Sequence, residues 1–290
     1  MNENQSIMSS LKLLLFLFAL GIVSCSNATY EEEDMNVTDP ADPVNYVPNA
    51  LSDYWIYDVE STSTDIPEMN FTGTDSLYIA TSTANGFTYE ANNGMAALGT
   101  MNTLLVNGSL SKTSTTLEYT GNLDLPIDIS ITQMPAIDDL KLIDLEASNG
   151  EILSNFSNSF SESLDLQGTI IPIEISYDLT TKKENFYPTT ALNGMTYTNV
   201  YEATVTLNIS VIGTVSVFGI SQTISIIQPQ DVLSVRYFYG GNIGLVRAES
   251  IQGFELGDEI ILLIQQSGET DLTTSTQTFS VEELNSYLIN

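Results

Sequence analysis

The sequence predicts a predominantly antiparallel all-β protein, and three observations carry that expectation. Long runs alternate apolar and polar residues with period two: Leu123 to Ile131, Ile171 to Leu179 and Tyr201 to Val211. Each run would turn one face to a core and one to water. In the last third, Val215 to Phe218, Thr223 to Ile227, Leu233 to Tyr239 and Leu245 to Ala248 follow one another. Short turn sequences separate them (Gly219 to Gln222, Pro229 to Asp231, Gly240-Gly241-Asn242), which reads as a meander of hairpins. Helix signals are few.

Taken in order, the chain begins with a leader. Lys12 precedes eleven uncharged residues, Leu13 to Val23. That run is too short to span a bilayer, which needs about 20 apolar residues. A basic residue, an apolar run of about 7–15 residues and small residues after it are the layout of a secretory signal. Residues 1–24 are therefore read as a signal peptide.

The run ends Ile22-Val23-Ser24-Cys25, and Cys25 is the only cysteine in the chain. These four residues resemble a bacterial lipobox. The resemblance implies that Cys25 receives lipid and becomes the mature N-terminus. A multiply acylated cysteine is held firmly on a membrane, at about 0.8 kcal/mol per buried CH₂.

Residues 25–50 read as a tether. Glu31-Glu32-Glu33-Asp34, Asp39-Pro40-Ala41-Asp42-Pro43 and Pro48 give it charge and proline without hydrophobic period. About 25 such residues span roughly 25–30 Å on average and about 80 Å fully stretched. The acidic cluster after Cys25 resembles the export signal of surface-exposed lipoproteins in Bacteroidetes; a solvated linker would look the same.

Residues 51–290 are read as one antiparallel β domain. Trp55, Tyr57 and Val59 alternate with Ile56, Asp58 and Glu60, which predicts a first strand at an edge of the sheet. Tyr46-Val47-Pro48, Ser52-Asp53-Tyr54-Trp55-Ile56-Tyr57-Asp58-Val59 and Asp75-Ser76-Leu77-Tyr78-Ile79 resemble the opening of many uncharacterised Bacteroidetes lipoproteins. Asp75-Ser76-Leu77 also fits the Asp-Ser/Thr-aliphatic pattern of O-glycosylation in that group, which makes Ser76 a candidate acceptor. Ala91 to Leu105 is ambiguous, because Gly94 and Gly99 weaken a helix there. Pro126 and Pro172 cannot donate to a ladder and predict edges or bulges.

Val235 to Arg247, VRYFYGGNIGLVR, resembles the closing hairpin of bacterial envelope lipoproteins, in which an aromatic strand runs into a Gly-x-Gly-Leu-Val turn. Some of those families fold as curved sheets or half-barrels. That resemblance implies a curved sheet or half-barrel, with a β-sandwich as the alternative. Arg236 and Arg247 flank the turn, where carboxylates are plentiful partners. Ile260 to Ile264 reads as one more strand. Ser280-x-x-Glu283 matches a capping box opening onto Val281, Leu284 and Leu288, which predicts a short C-terminal helix.

Composition narrows the chemistry. The net charge is −30, which repels nucleic acid and anionic lipid headgroups. There is no histidine, so the commonest general base and transition-metal ligand are missing. Ser-His-type triads are excluded. With Cys25 acylated, only oxygen ligands remain, and no Asp-x-Asp-x-Asp-Gly calcium loop is found. A glycosidase needs only two carboxylates, but among 37 acidic residues no pair stands out.

The sequence thus singles out no catalytic, cofactor-binding or metal-binding residue. The expectation is a non-enzymatic envelope lipoprotein without a cofactor. It is lipid-anchored at the outer membrane and surface-displayed, or else on the periplasmic face. Its partners are the membrane, through the anchor, and an envelope protein or glycan. The alternatives are a half-barrel carrier of an acyl lipid, and a carboxylate-pair glycan hydrolase or glycan-binding protein. An inner face that includes Trp55, Tyr57, Tyr201, Tyr237 and Tyr239 is expected to fill itself.

Overall fold

The computed structural model describes residues 44–67, 70–84, 86–122, 136–166, 169–217, 220–267 and 273–290. The signal-peptide run, Cys25 and the acidic cluster lie outside these residues, as does the alternating stretch from Leu123 to Ile131 with Pro126.

Twelve strands form one antiparallel sheet: β1 Tyr54–Ser63, β2 Phe71–Ser82, β3 Phe87–Ala91, β4 Gly108–Lys112, β5 Thr116–Asn122, β6 Ala136–Asp144, β7 Ile152–Leu166, β8 Thr169–Leu192, β9 Met195–Val217, β10 Ile220–Gly240, β11 Gly244–Glu255 and β12 Ser275–Leu288. Their order is β6-β5-β4-β3-β2-β1-β12-β11-β10-β9-β8-β7. The sheet is nearly closed and barrel-shaped, a single layer rather than a sandwich. All links but one join neighbours in sequence. The exception seats β12 beside β1, so β1 lies at the centre of the sheet and not at an edge.

The two ends of the strand order are drawn together from inside. Tyr237 of β10 donates its hydroxyl to the carbonyl of Leu142 on β6 at 2.7 Å. The amide of Asp144 at the end of β6 donates to the Tyr201 hydroxyl of β9 at 3.1 Å. The amide of Lys141 donates to Ser154 Oγ on β7 at 3.0 Å. Buried tyrosine tips need partners, and Tyr237 and Tyr201 find backbone groups across the interior.

Burial alternates along β1, with Trp55, Tyr57 and Val59 inward. These side chains, with Phe87, Tyr119, Tyr201, Tyr237 and Tyr239, are almost fully buried and fill one half of the interior. Trp55 Nε1 donates to the Ile243 carbonyl at 2.6 Å, and Tyr57 donates to the Leu245 carbonyl at 2.9 Å. Gly244 sits at φ +110°, and a Cβ there would stand 3.1 Å from the Trp55 indole nitrogen, so the β10–β11 turn needs glycine at that point.

Toward the other end the inner face is aliphatic: Ile171, Ile173, Ile175, Ile209, Val211, Ile224 and Ile226. A helix from Asp258 to Ser267 packs against β10 there and buries Ile260 and Ile264. Asp258 and Glu259 occupy its first turn, where the helix dipole favours acids, and Glu259 accepts the Ser225 amide.

Several expectations are corrected in position. A short helix near the C-terminus exists, but it is this one, over the stretch read as a strand. The segment read as a helix, Ser280 to Leu288, is the end of β12. Its inward residues are Ser280, Glu282 and Leu284, so polar side chains on the buried face hid the two-residue period. Pro229 to Asp231 is not a turn. β10 runs unbroken from Ile220 to Gly240, and the register against β9 slips between Ile227 and Gln230, where proline has no amide to donate.

Pro172 behaves as expected. It pairs with Ser163 of β7, while the pairing of β8 with β9 begins only at Ile173, so its β9 side is locally an edge. The segment Val44 to Ala50, read as the end of the tether, belongs to the folded unit: Tyr46 and Val47 are buried. Asn45 exchanges hydrogen bonds with Asn242 at the β10–β11 turn, and Lys112 Nζ donates to the Val47 carbonyl at 2.6 Å.

Candidate functional site

Alternation along the central strands sorts their charged residues onto two faces. On the outer face, the register aligns Thr74 of β2, Asp58 of β1, Glu283 of β12, Arg247 of β11, Phe238 of β10 and Glu202 of β9 in one row. The next row runs Thr72, Glu60, Val281, Glu249, Arg236 and Thr204 across the same six strands.

A trough of about 510 Å³ lies over one side of these rows, lined by Asp58, Glu60, Thr72, Thr74, Arg247, Val281 and Glu283 together with Val59 and Gly73. Its size falls within the usual range of ligand sites, roughly 300–1,000 Å³.

The basic residues that flank the hairpin turn are consumed by this ladder. Arg247 pairs with Glu249 at 2.8 Å and with Glu283. Arg236 pairs with Glu202 and lies 5.0 Å over the Phe238 ring. Glu202 points outward yet is only 3% exposed, covered by Arg236 and by the Tyr187 hydroxyl, which donates to it at 2.7 Å. The tip of the β8–β9 hairpin reaches the same surface, where Asn193 donates to Glu283. Asp58 accepts from Asn285 at 2.8 Å. The trough therefore presents carboxylates in excess of cations, with threonine hydroxyls along its β2 wall.

On the inner face the acids are treated differently. A short helix, α1, spans Thr100–Val106 and lies against the sheet interior with Met101, Asn102 and Leu105 almost fully buried. (The helix over Asp258–Ser267 is α2.) Gly99 precedes α1 and offers no side-chain cap. Two distant carboxylates take that role. Glu282 of β12 accepts the amides of Met101 at 2.7 Å and Asn102 at 2.9 Å. Asp75 of β2 accepts the amides of Leu98 and Gly99 and the side-chain amides of Asn92 and Asn102. A Cβ at position 99 would strike the Glu282 carboxyl, so glycine there leaves room for that side chain to reach the α1 amides.

Burial, reinforced by the charge of Asp75, pushes Glu282 up to about 7 although the α1 amides pull it down. Tyr57 and Tyr239 stand beside it, and burial drives both phenols well above their ordinary range. The sequence did not single out Asp75 or Glu282. The only legible sign was a glutamate at an inward position of a period-two strand, masked by a false capping box.

Ser76, the candidate for glycosylation, is half-buried on the outward side of β2, with its amide and hydroxyl both directed to Asn92 Oδ1. Cys25 lies outside the described residues. Among the described residues no group of three Asp, Glu, His or Cys is arranged to hold a metal, and no helix is long and apolar enough to cross a membrane.

The fold and its sites thus define a nearly closed antiparallel β-barrel with buried aromatic side chains on its inner face and an acidic trough on its outer face. No protein-family model matches the chain, and neither a characterised protein nor a solved structure is similar to it.

Proposed function

We propose that this protein is a cell-envelope lipoprotein, anchored through Cys25 and displayed at the surface, that acts without catalysis as an interaction or structural protein. The observation that carries this reading is the division between the two faces of the sheet. The inner face is occupied by side chains whose polar tips end on backbone carbonyls, as Trp55, Tyr57 and Tyr237 do. The outer trough leaves carboxylates and hydroxyls facing solvent, with Asp58, Glu60, Thr72 and Thr74 all exposed. Its excess of carboxylate over cation suits a partner that presents basic groups. Against the carrier reading stands the packed aromatic half. Against the hydrolase reading stands the commitment of Asp75 and Glu282, the inner acid pair, to the amides that hold α1.

Two measurements on intact cells test the reading. Cys25→Ser moves the protein from the membrane fraction to the soluble fraction, and external protease cleaves the anchored form. A photo-crosslinking side chain at Thr72 captures a discrete envelope partner, and Asp58→Lys with Glu60→Lys abolishes that capture. A Cys25→Ser protein that stays membrane-bound, or capture unchanged by the charge reversal, overturns it.

A further inference from the structure

The inner acids carry a second inference, independent of the trough. Asp75 and Glu282 meet at the start of α1, both essentially inaccessible to water. Among the described residues no cation neutralises them. The chain has seven basic residues, and the six in the described part are engaged elsewhere. Lys112 and Lys183 are bound to backbone carbonyls, Lys141 to Asp144, Lys182 to Glu184, Arg236 to Glu202 and Arg247 to Glu249 and Glu283.

Asn102 joins the pair. Its backbone amide donates to Glu282 and its side-chain amide donates to Asp75 at 3.0 Å, but its own Oδ1 is buried without a donor. The hydroxyl of Tyr239 and the Oγ of Ser280 are buried without partners as well. Two uncompensated carboxylates and a lone buried acceptor are what a site lacks when it is one proton short. A proton on Glu282 removes one charge from the dry interior. It also adds an O–H donor to a cluster in which Asn102, already bonded to both acids, keeps a side-chain carbonyl without a donor.

We propose that Glu282, Asp75 and Asn102 form a proton-controlled latch: with a proton on Glu282 the segment from Asn92 to Val106 is locked against the inner face, and loss of that proton loosens it. The groups facing Glu282 are Asp75 from β2, Tyr57 from β1, Tyr239 from β10 and the α1 amides. Asp75 opposes its ionisation, and both phenols stay protonated throughout the range concerned. The raised affinity of Glu282 for its proton, with a midpoint of about 7 against the ordinary glutamate value of 4.5, is consistent with the geometry. A group raised in the closed form favours that form below the open-form value, and the advantage is lost as pH rises to the closed-form value. Opening is therefore promoted between pH 4.5 and about 7 and becomes level above 7. Release of α1 would break its contacts with β3, β4, β10 and β11, among them the hydrogen bonds that Ser250 and Gln252 make to Thr100 Oγ1.

Amide hydrogen exchange of the intact protein, corrected for the intrinsic pH dependence of exchange, reads the latch. Protection of the Met101 and Asn102 amides falls about tenfold per pH unit between pH 5 and 7, while that of amides at the tip of the β8–β9 hairpin, such as Met195, which open without releasing Glu282, does not. Glu282→Gln removes the slope. Protection independent of pH, or the same slope in Glu282→Gln, overturns the proposal. Should Glu282→Gln fail to fold, ¹³C-carboxyl NMR of the glutamate-labelled wild-type protein decides: one glutamate titrating near neutrality supports the latch, and all glutamates titrating in the ordinary carboxylate range refute it.

Discussion

Glu282 and Glu283 are consecutive residues on one strand, and the sheet gives them opposite chemistry. Glu283 faces out, pairs with Arg247 across the β11–β12 register and lines the trough. Glu282 faces in, meets no cation among the described residues, accepts the amides of α1 and is pushed up to about 7 by burial. Strand pleating alone makes the difference, since successive side chains point to opposite faces. The lesson is that composition does not set the role of an acid in so acidic a chain; the face does. The inner face spends its polar groups on holding the barrel together. The outer face keeps its charges where a partner can meet them.

The largest loss is expected from emptying the inner face. Trp55→Ala removes a fully buried indole and its bond to the Ile243 carbonyl. The expected loss is about 3–5 kcal/mol, read by denaturant titration. Glu282→Ala should follow at about 2–4 kcal/mol, because it strands the Met101 and Asn102 amides in the interior.

The same glutamate makes the stability depend on pH. Its value rises from 4.5 to about 7 on folding, so its contribution is complete below 4.5 and lost as pH climbs to 7. The fold should therefore lose up to roughly 3 kcal/mol over that range from this group. A flat stability profile that is unchanged in Glu282→Gln would contradict the assignment. Tyr237→Phe, which leaves the Leu142 carbonyl without its donor, should cost about 1–1.5 kcal/mol and loosen β6 in hydrogen exchange. Smallest of all is the outer face. Arg247→Ala should cost no more than about 1 kcal/mol, and salt should diminish the effect.

Legibility in the sequence followed the same division. Where the inner face is apolar, the two-residue period announced the strand. Trp55, Tyr57 and Val59 on β1, and Tyr201 to Val211 on β9, point where alternation placed them. Where the inner face is polar, the period vanished. On β12 Ser280 and Glu282 face inward, and a local Ser-x-x-Glu pattern outweighed a strand whose stability comes from β1 and β11, far away in sequence.

The helix α2 was hidden for the converse reason. Ile260 to Ile264 is a short apolar run that fits either element, and only packing of Ile260 and Ile264 beneath β10 decides it. The Asp75–Glu282 pair was invisible because 207 positions separate its members and the closing β1–β12 pairing brings them together. The central place of β1 was equally out of reach, because nothing local says that the last strand returns to the first.

The central claim, that the barrel is filled by its own side chains and works through its outer face, is tested most directly by native mass spectrometry of the chain from Asn27 onward, followed by solvent extraction. The account predicts a clean mass equal to the polypeptide alone. A reproducible extra mass of a few hundred daltons, released as an acyl lipid, would contradict it and make the interior, not the trough, the working site.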